Sequence, residues 1–195
     1  MKVRQPLARE NFASNLIFGL AGIGAAAASF LVAPGLRGAM GALLAVVMTA
    51  IAAFDARYLI IPNPLTAAAF VLALVYAAIG APPDGIVQAG AESIFRAAIA
   101  ALAFFAIKFS YEKLRGHPGL GMGDIKLMGV AGAWLGWLTI LYTVEIAVLA
   151  TLLAYVLRQR SKARPLRTTG VAPFGLFLAP AIWLGWLLEV SFFTR

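Results

Sequence analysis

"IKLMGVAGAWLGWLTILYTVEIAVLATLLAYVL", residues 125–157, is the stretch on which the fold turns. As one helix its 33 residues would extend about 50 Å at 1.5 Å per residue, well beyond a hydrocarbon core of ~30 Å. Split near Trp137–Tyr142, it gives two short spans joined by a tight turn. The two readings send the next run, "RQRSKARPLR" (158–167), to opposite sides of a membrane.

The rest of the chain says that a membrane is the right frame. Of 195 residues, 62% are apolar and 12% charged, with a mean hydropathy of +0.90. Soluble domains hold roughly 45–50% apolar and about 25% charged residues, and no core of ordinary surface-to-volume ratio hides such an excess. The chain reads as an integral membrane protein. Further apolar runs lie near 14–33, 38–54, 64–80, 92–109 and 171–191. The first follows the basic opening "MKVRQPLAREN" without a small-residue cleavage site, so it reads as a retained span.

Charge chooses between the readings of residues 125–157. With seven spans and a cytoplasmic N-terminus, the inner side receives Lys2, Arg4, Arg9, Arg57, Lys108, Lys113, Arg115, Lys126, Arg158, Arg160, Lys162, Arg164 and Arg167. Outside remain Arg37 and Arg195, with Arg96 inside a span. A single long helix would put the five basic residues of 158–167 outside, against the positive-inside rule. The expected fold is therefore an all-α, polytopic membrane helix bundle of about seven transmembrane helices. It forms one domain over 1–195, with an extra N-terminal span in 1–37 and a bundle in 38–195. The same placement disposes of a nucleic-acid partner despite the net charge of +8, because the basic residues fall between apolar runs. Cysteine is absent, which excludes disulfides, thiolate metal sites and cysteine nucleophiles.

This topology gives meaning to two aspartates. Asp55 ends the second span in "AAFDARYLIIPN" (52–63), and Asp124 opens the fifth in "GMGDIKL" (121–127). An even number of crossings separates them, so both lie at the inner boundary at similar depth. An acid at a helix N-terminus is favoured by the macrodipole by ~0.3–1 kcal/mol, which suits Asp124. Asp55 sits near a C-terminal end, where a carboxylate is unfavourable. Two nearby carboxylates share a proton and titrate as a pair. The ionised one accepts a proton from water while the protonated one polarises a carbonyl, the arrangement of the aspartic proteases. Gly121 and Gly123, with Gly119, are expected to permit positive φ and close approach of a substrate backbone. Pro62 completes a D-x6-P pattern with Asp55.

Two segments, "FDARYLIIPNPLT" and "GMGDIKLMGVAGAWLGW", resemble the signatures of the type IV prepilin peptidases, bacterial membrane aspartic proteases of the GxGD class. "VAPFGLFLAP" (171–180) is similar to that family's third, Pro-Phe-Gly segment and brings in Pro173 and Gly175; Leu176 stands where a second proline is expected. The resemblance implies that Asp55 and Asp124 are the catalytic dyad. It also implies that the substrate is a pilin-like precursor, whose basic leader is cut at the cytoplasmic face of the bacterial inner membrane while its apolar helix lies in the bilayer. No cofactor is implied. Longer members carry a loop with paired C-x-x-C motifs and many methylate the new N-terminus; without cysteine, this chain resembles the compact, peptidase-only form. The alternative is a small proton-coupled transporter using the same acids as a relay, although carriers place their sites near the midplane.

Other residues have plainer expected roles. Lys126 is a snorkelling anchor or a cation that biases the dyad or holds substrate, and Arg57 is read the same way. Arg96 and Glu145, at matched depth, are expected to pair, with Glu92 as the competing partner. His117 stands alone without an HExxH pattern, so no metal site is expected. Trp134, Trp137, Trp183 and Trp186 are assigned to an outer aromatic belt. Asp84 is read as part of an outer turn.

Overall fold

The structure, a computed structural model, describes residues 8–116, 119–161 and 173–193. These form seven α-helices: α1 (Ala8–Val32), α2 (Leu36–Tyr58), α3 (Asn63–Gly80), α4 (Ile86–Arg115), α5 (Met122–Trp134), α6 (Trp137–Ser161) and α7 (Phe174–Leu188). A short π-helical end, Glu189–Phe193, continues α7. Six of the helices, all but α5, are long and apolar enough to cross a membrane. The chain is a multi-pass helical membrane protein. His117, Lys162, Arg164 and Arg167 lie outside the described residues.

The long run is split, as its length and the following charges required. The break falls at Leu135–Gly136, ahead of the expected Trp137–Tyr142. Leu135 is extended (φ −111°, ψ 151°), and the next helix begins at Trp137. The first half is consequently short: at 13 residues α5 is about 20 Å long. It makes up for its length by position. α5 packs against α3, α4 and α7, and Ile125 and Leu127–Trp134 are buried. α2 packs on α7, α1 lies on α2, and α6 lies on α7.

Inside a bilayer the packing cannot lean on water expulsion, so small residues that let helices approach closely carry the association. Three contacts show this. The Gly132 Cα faces the backbone of Arg96 and Ala97 on α4 so closely that a methyl would overlap it. The Trp186 indole lies over Gly41 of α2, and Gly185 meets Thr143 of α6.

Two expectations about tryptophan and charge fail here. Trp134 and Trp186 are core residues, 3% and 1% exposed, instead of members of a belt. Trp134 donates its Nε1–H to the Ala69 carbonyl at 2.9 Å and stacks on Tyr76, while half-exposed Trp137 fits the belt reading. Arg96 does not pair with Glu145. Its guanidinium sits 3.9 Å from Glu92 and turns toward α5, because α4 packs on α5 and α3 whereas α6 packs on α7. Glu145 is exposed on α6. α4 outruns the apolar window 92–109 at both ends. Its last turns are charged, with Lys108 paired to Glu112, and Gly116 closes the helix at φ 72°. Asp84 does lie in the α3–α4 turn.

Candidate active site

Asp55 is in the last turn of α2, yet only 5% of it is exposed. A carboxylate buried at the negative end of its own helix needs compensation. α7 supplies it. Pro173 caps that helix and Phe174 begins it, so the amides of Gly175 and Leu176 belong to the first turn and have no intrahelical acceptor. The Leu176 N–H donates to Asp55 Oδ2 at 2.8 Å, and the Gly175 N–H also serves the carboxylate. The positive end of one helix thus faces the acid at the negative end of another. Leu176, the departure from the expected second proline, matters here: proline has no N–H to give.

Asp124 is the third residue of α5 and half-buried. Its Oδ2 accepts the Gly121 N–H at 3.2 Å, closing a cap at the favourable end of the helix. The Asp55 charge is within electrostatic reach of Asp124. Both acids line one cleft of about 240 Å³, together with Gly121, Gly123 and Lys126. The two motifs therefore do meet.

The positive φ expected at Gly119, Gly121 and Gly123 is not found. Gly121 has φ −73°, and the described glycines with positive φ are Gly35 and Gly116. What the site uses is the lack of a side chain. A Cβ on Gly123 would stand 2.9 Å from Ile61 Cβ, and one on Gly175 would stand 2.8 Å from Ile61 Cδ1. Ile61, 9% exposed, is the wedge between the α5 and α7 sides of the site.

That wedge belongs to a strap, Leu59–Ile60–Ile61, which joins α2 to α3 and lines the cleft with Met122. None of these four residues was singled out from the sequence. The available signal was the unbroken apolar "YLII" directly after a charged pair. Leu59 adopts a left-handed conformation (φ 54°, ψ 35°), and its N–H caps the Asp55 carbonyl at 3.0 Å. Pro62 ends the strap and starts α3, where its carbonyl accepts the Thr66 N–H at 3.2 Å; it does not itself line the cleft. Pro173 plays the same part for α7.

Lys126 lies in the cleft wall, and its Nζ donates to Asn63 Oδ1 at 2.8 Å, which ties α5 to the first residue of α3. Arg57 points away from the dyad, to Ser14 and Asn15 of α1. Lys108, besides pairing with Glu112, donates to the Leu120 carbonyl at 3.1 Å and so holds the approach to Gly121. The arrangement offers two carboxylates on different helices, an apolar lip and one cation. The cleft, at about 240 Å³, is smaller than the ~300–1,000 Å³ of common small-molecule pockets.

Comparisons with known proteins agree on one family. Residues 42–156 match the model of the type IV leader peptidase family, a region that contains both aspartates and stops before Gly175. The chain is 33% identical over 176 residues to the prepilin leader peptidase/N-methyltransferase of Dickeya chrysanthemi, covering 88% of this chain and 58% of that protein. It is 27% identical over 165 residues to the protein of the same name from Aeromonas hydrophila (83% and 53% covered). The counterpart from Pseudomonas aeruginosa is 28% identical over 144 residues (72% and 46% covered). The chain thus spans about half the length of the curated relatives it matches. No solved structure matches it.

Proposed function

Because the chain belongs to the type IV leader peptidase family, we propose that it is a membrane aspartic endopeptidase that removes the basic leader of pilin-like precursors. The observation that carries this reading is the convergence of Asp55 and Asp124 on one cleft from different helices. With one proton between them, the ionised carboxylate takes a proton from water as the oxygen attacks the scissile carbonyl. The protonated carboxylate hydrogen-bonds the carbonyl oxygen, and a proton then passes to the leaving amine as the C–N bond breaks. One water is consumed and two chain ends are released.

The site lies in the bacterial inner membrane at its cytoplasmic face, where a soluble leader reaches the dyad while the precursor's apolar helix stays in lipid. Gly121, Gly123, Gly175, Pro62 and Pro173 shape the cleft, and Lys126 faces the bound chain. Residues 38–195 form the catalytic bundle, and residues 1–37 add a span that braces α2 through Arg57. Only the peptidase half of the relatives' double name is proposed, since the chain has no cysteine for paired C-x-x-C motifs. The acids sit at helix ends beside a strap, not at mid-span, which favours the peptidase over a carrier.

Co-expression with a pilin-like precursor, followed by N-terminal sequencing of the product, tests the reading. Asp55→Asn and Asp124→Asn should each abolish cleavage while the protein still inserts, because an amide can fill neither role. Processing at the wild-type rate by either variant would remove the dyad from the mechanism.

A further inference from the structure

The two ends of α5 are held by different means. Its inner end carries Asp124. Its outer end stops at Trp134, and α6 begins at Trp137. Such a break leaves carbonyls at the end of one helix and amides at the start of the next without intrahelical partners. Charged side chains meet both. Arg96 of α4 donates from Nε to the Gly132 carbonyl at 3.3 Å and is itself steadied by Ser93 Oγ at 3.2 Å and Glu92 at 3.9 Å. Glu189, the first residue past α7, accepts the Gly136 N–H on Oε2 at 2.9 Å. A cation at the C-terminus of α5 and an anion at the N-terminus of α6 both suit the helix macrodipoles. Tyr76 of α3 lies within electrostatic reach of both Glu189 and Arg37 of α2.

Between its ends α5 has little freedom to bend. Ile125 and Leu127–Trp134 are buried, and Gly132 abuts the α4 backbone. A short, close-packed helix moves as a unit, so what fixes its outer end also fixes the depth of Asp124.

We propose that Arg96 and Glu189 are positioning residues, a charged clasp at the outer end of α5 that sets the height of Asp124 opposite Asp55. The proposal rests on the dyad reading above. Neither residue touches the cleft, so the clasp acts on the chemistry through α5 and not on the binding of the precursor.

The test uses the full-length protein in detergent and a pilin-like precursor that the wild type cleaves. Glu189→Ala removes the acceptor, whereas Glu189→Gln keeps a side-chain oxygen for the Gly136 N–H. The Ala variant should lose at least about tenfold in kcat with little change in KM, since a displacement of ~1 Å can cost a hundredfold. The Gln variant should recover most of that loss. Arg96→Met, which keeps the side-chain stem and loses the donor, should give the same kcat-specific defect, and it decides the matter should Glu189→Ala fail to insert. Wild-type kcat in Glu189→Ala or Arg96→Met overturns the clasp, as does a defect confined to KM or a Gln variant as impaired as the Ala variant. If Asp55→Asn is inactive while Glu189→Ala is unimpaired, the clasp falls and the dyad stands. If Asp55→Asn cleaves normally, the dyad reading itself falls.

Discussion

At Gly175 a single added methyl would stand 2.9 Å from Asp55 Oδ2, 3.0 Å from its Cγ and 2.8 Å from Ile61 Cδ1. Ile61 can rotate, but the carboxylate cannot retreat without leaving the Leu176 N–H. Gly175→Ala should therefore slow leader cleavage by roughly a hundredfold, the order expected for a catalytic group displaced by ~1 Å. Gly24→Ala is the control: nothing lies within 4 Å of that position on α1, so its rate should equal the wild type's. Equal rates for the two variants, measured on the same precursor, would mean that Asp55 tolerates displacement and that its contact with α7 is incidental. The sequence disclosed Asp55 and Asp124 because a carboxylate beside an apolar run is conspicuous. Ile61 stayed hidden because one more apolar residue in an apolar stretch carries no signal. Its importance comes from Gly123 and Gly175, far away in the chain, whose missing side chains make room for it.

Among the elements, the strap from Leu59 to Ile61 is the most constrained. A non-glycine residue in the left-handed region costs about 1 kcal/mol or more, and Leu59 is the described non-glycine residue that occupies it. Its side chain is 52% exposed, so little packing is lost when it is removed. Leu59→Gly should raise the thermal midpoint in detergent, and Leu59→Val, with its branched Cβ, should lower it. A lower midpoint for the glycine variant would show that the Leu59 side chain outweighs the strain of its backbone. Elements were the most legible level of this protein. Length and the positive-inside rule together broke residues 125–157 into two helices, since both act on the chain locally. The belt assignment of Trp134 and Trp186 failed because sequence gives depth along a helix but not azimuth around it. The Arg96–Glu145 pairing failed for a related reason: matched depth does not make α4 and α6 neighbours.

The whole molecule must still be oriented, and α5 is what makes its orientation open to test. By length alone six helices cross, which would leave both termini on one side. If the short, buried α5 also counts as a crossing, the N-terminus is inside and the C-terminus outside. Two observations favour that count. The Trp134 end of α5 is tied to residues of α4 and to the end of α7, and Asp124 near its other end shares a cleft with the last turn of α2. α5 therefore joins the two levels of the bundle although its ~20 Å falls short of a ~30 Å core. The charge pattern points the same way, with thirteen of sixteen basic residues assigned to the inner side. A chain without cysteine lends itself to labelling with a membrane-impermeant maleimide in intact cells. Asp84→Cys, in the α3–α4 turn, should react from outside, and Ser161→Cys, at the end of α6, should react only after the membrane is permeabilised. Labelling of Ser161→Cys from outside would return α5 to the status of a buried, non-crossing helix. It would also place the basic run at 158–167 on the far side of the membrane from the dyad. Protection of Ser161→Cys with free labelling of Asp84→Cys would put the cleft, the strap and the start of α7 together at the cytoplasmic face, where a basic leader reaches the acids without crossing lipid.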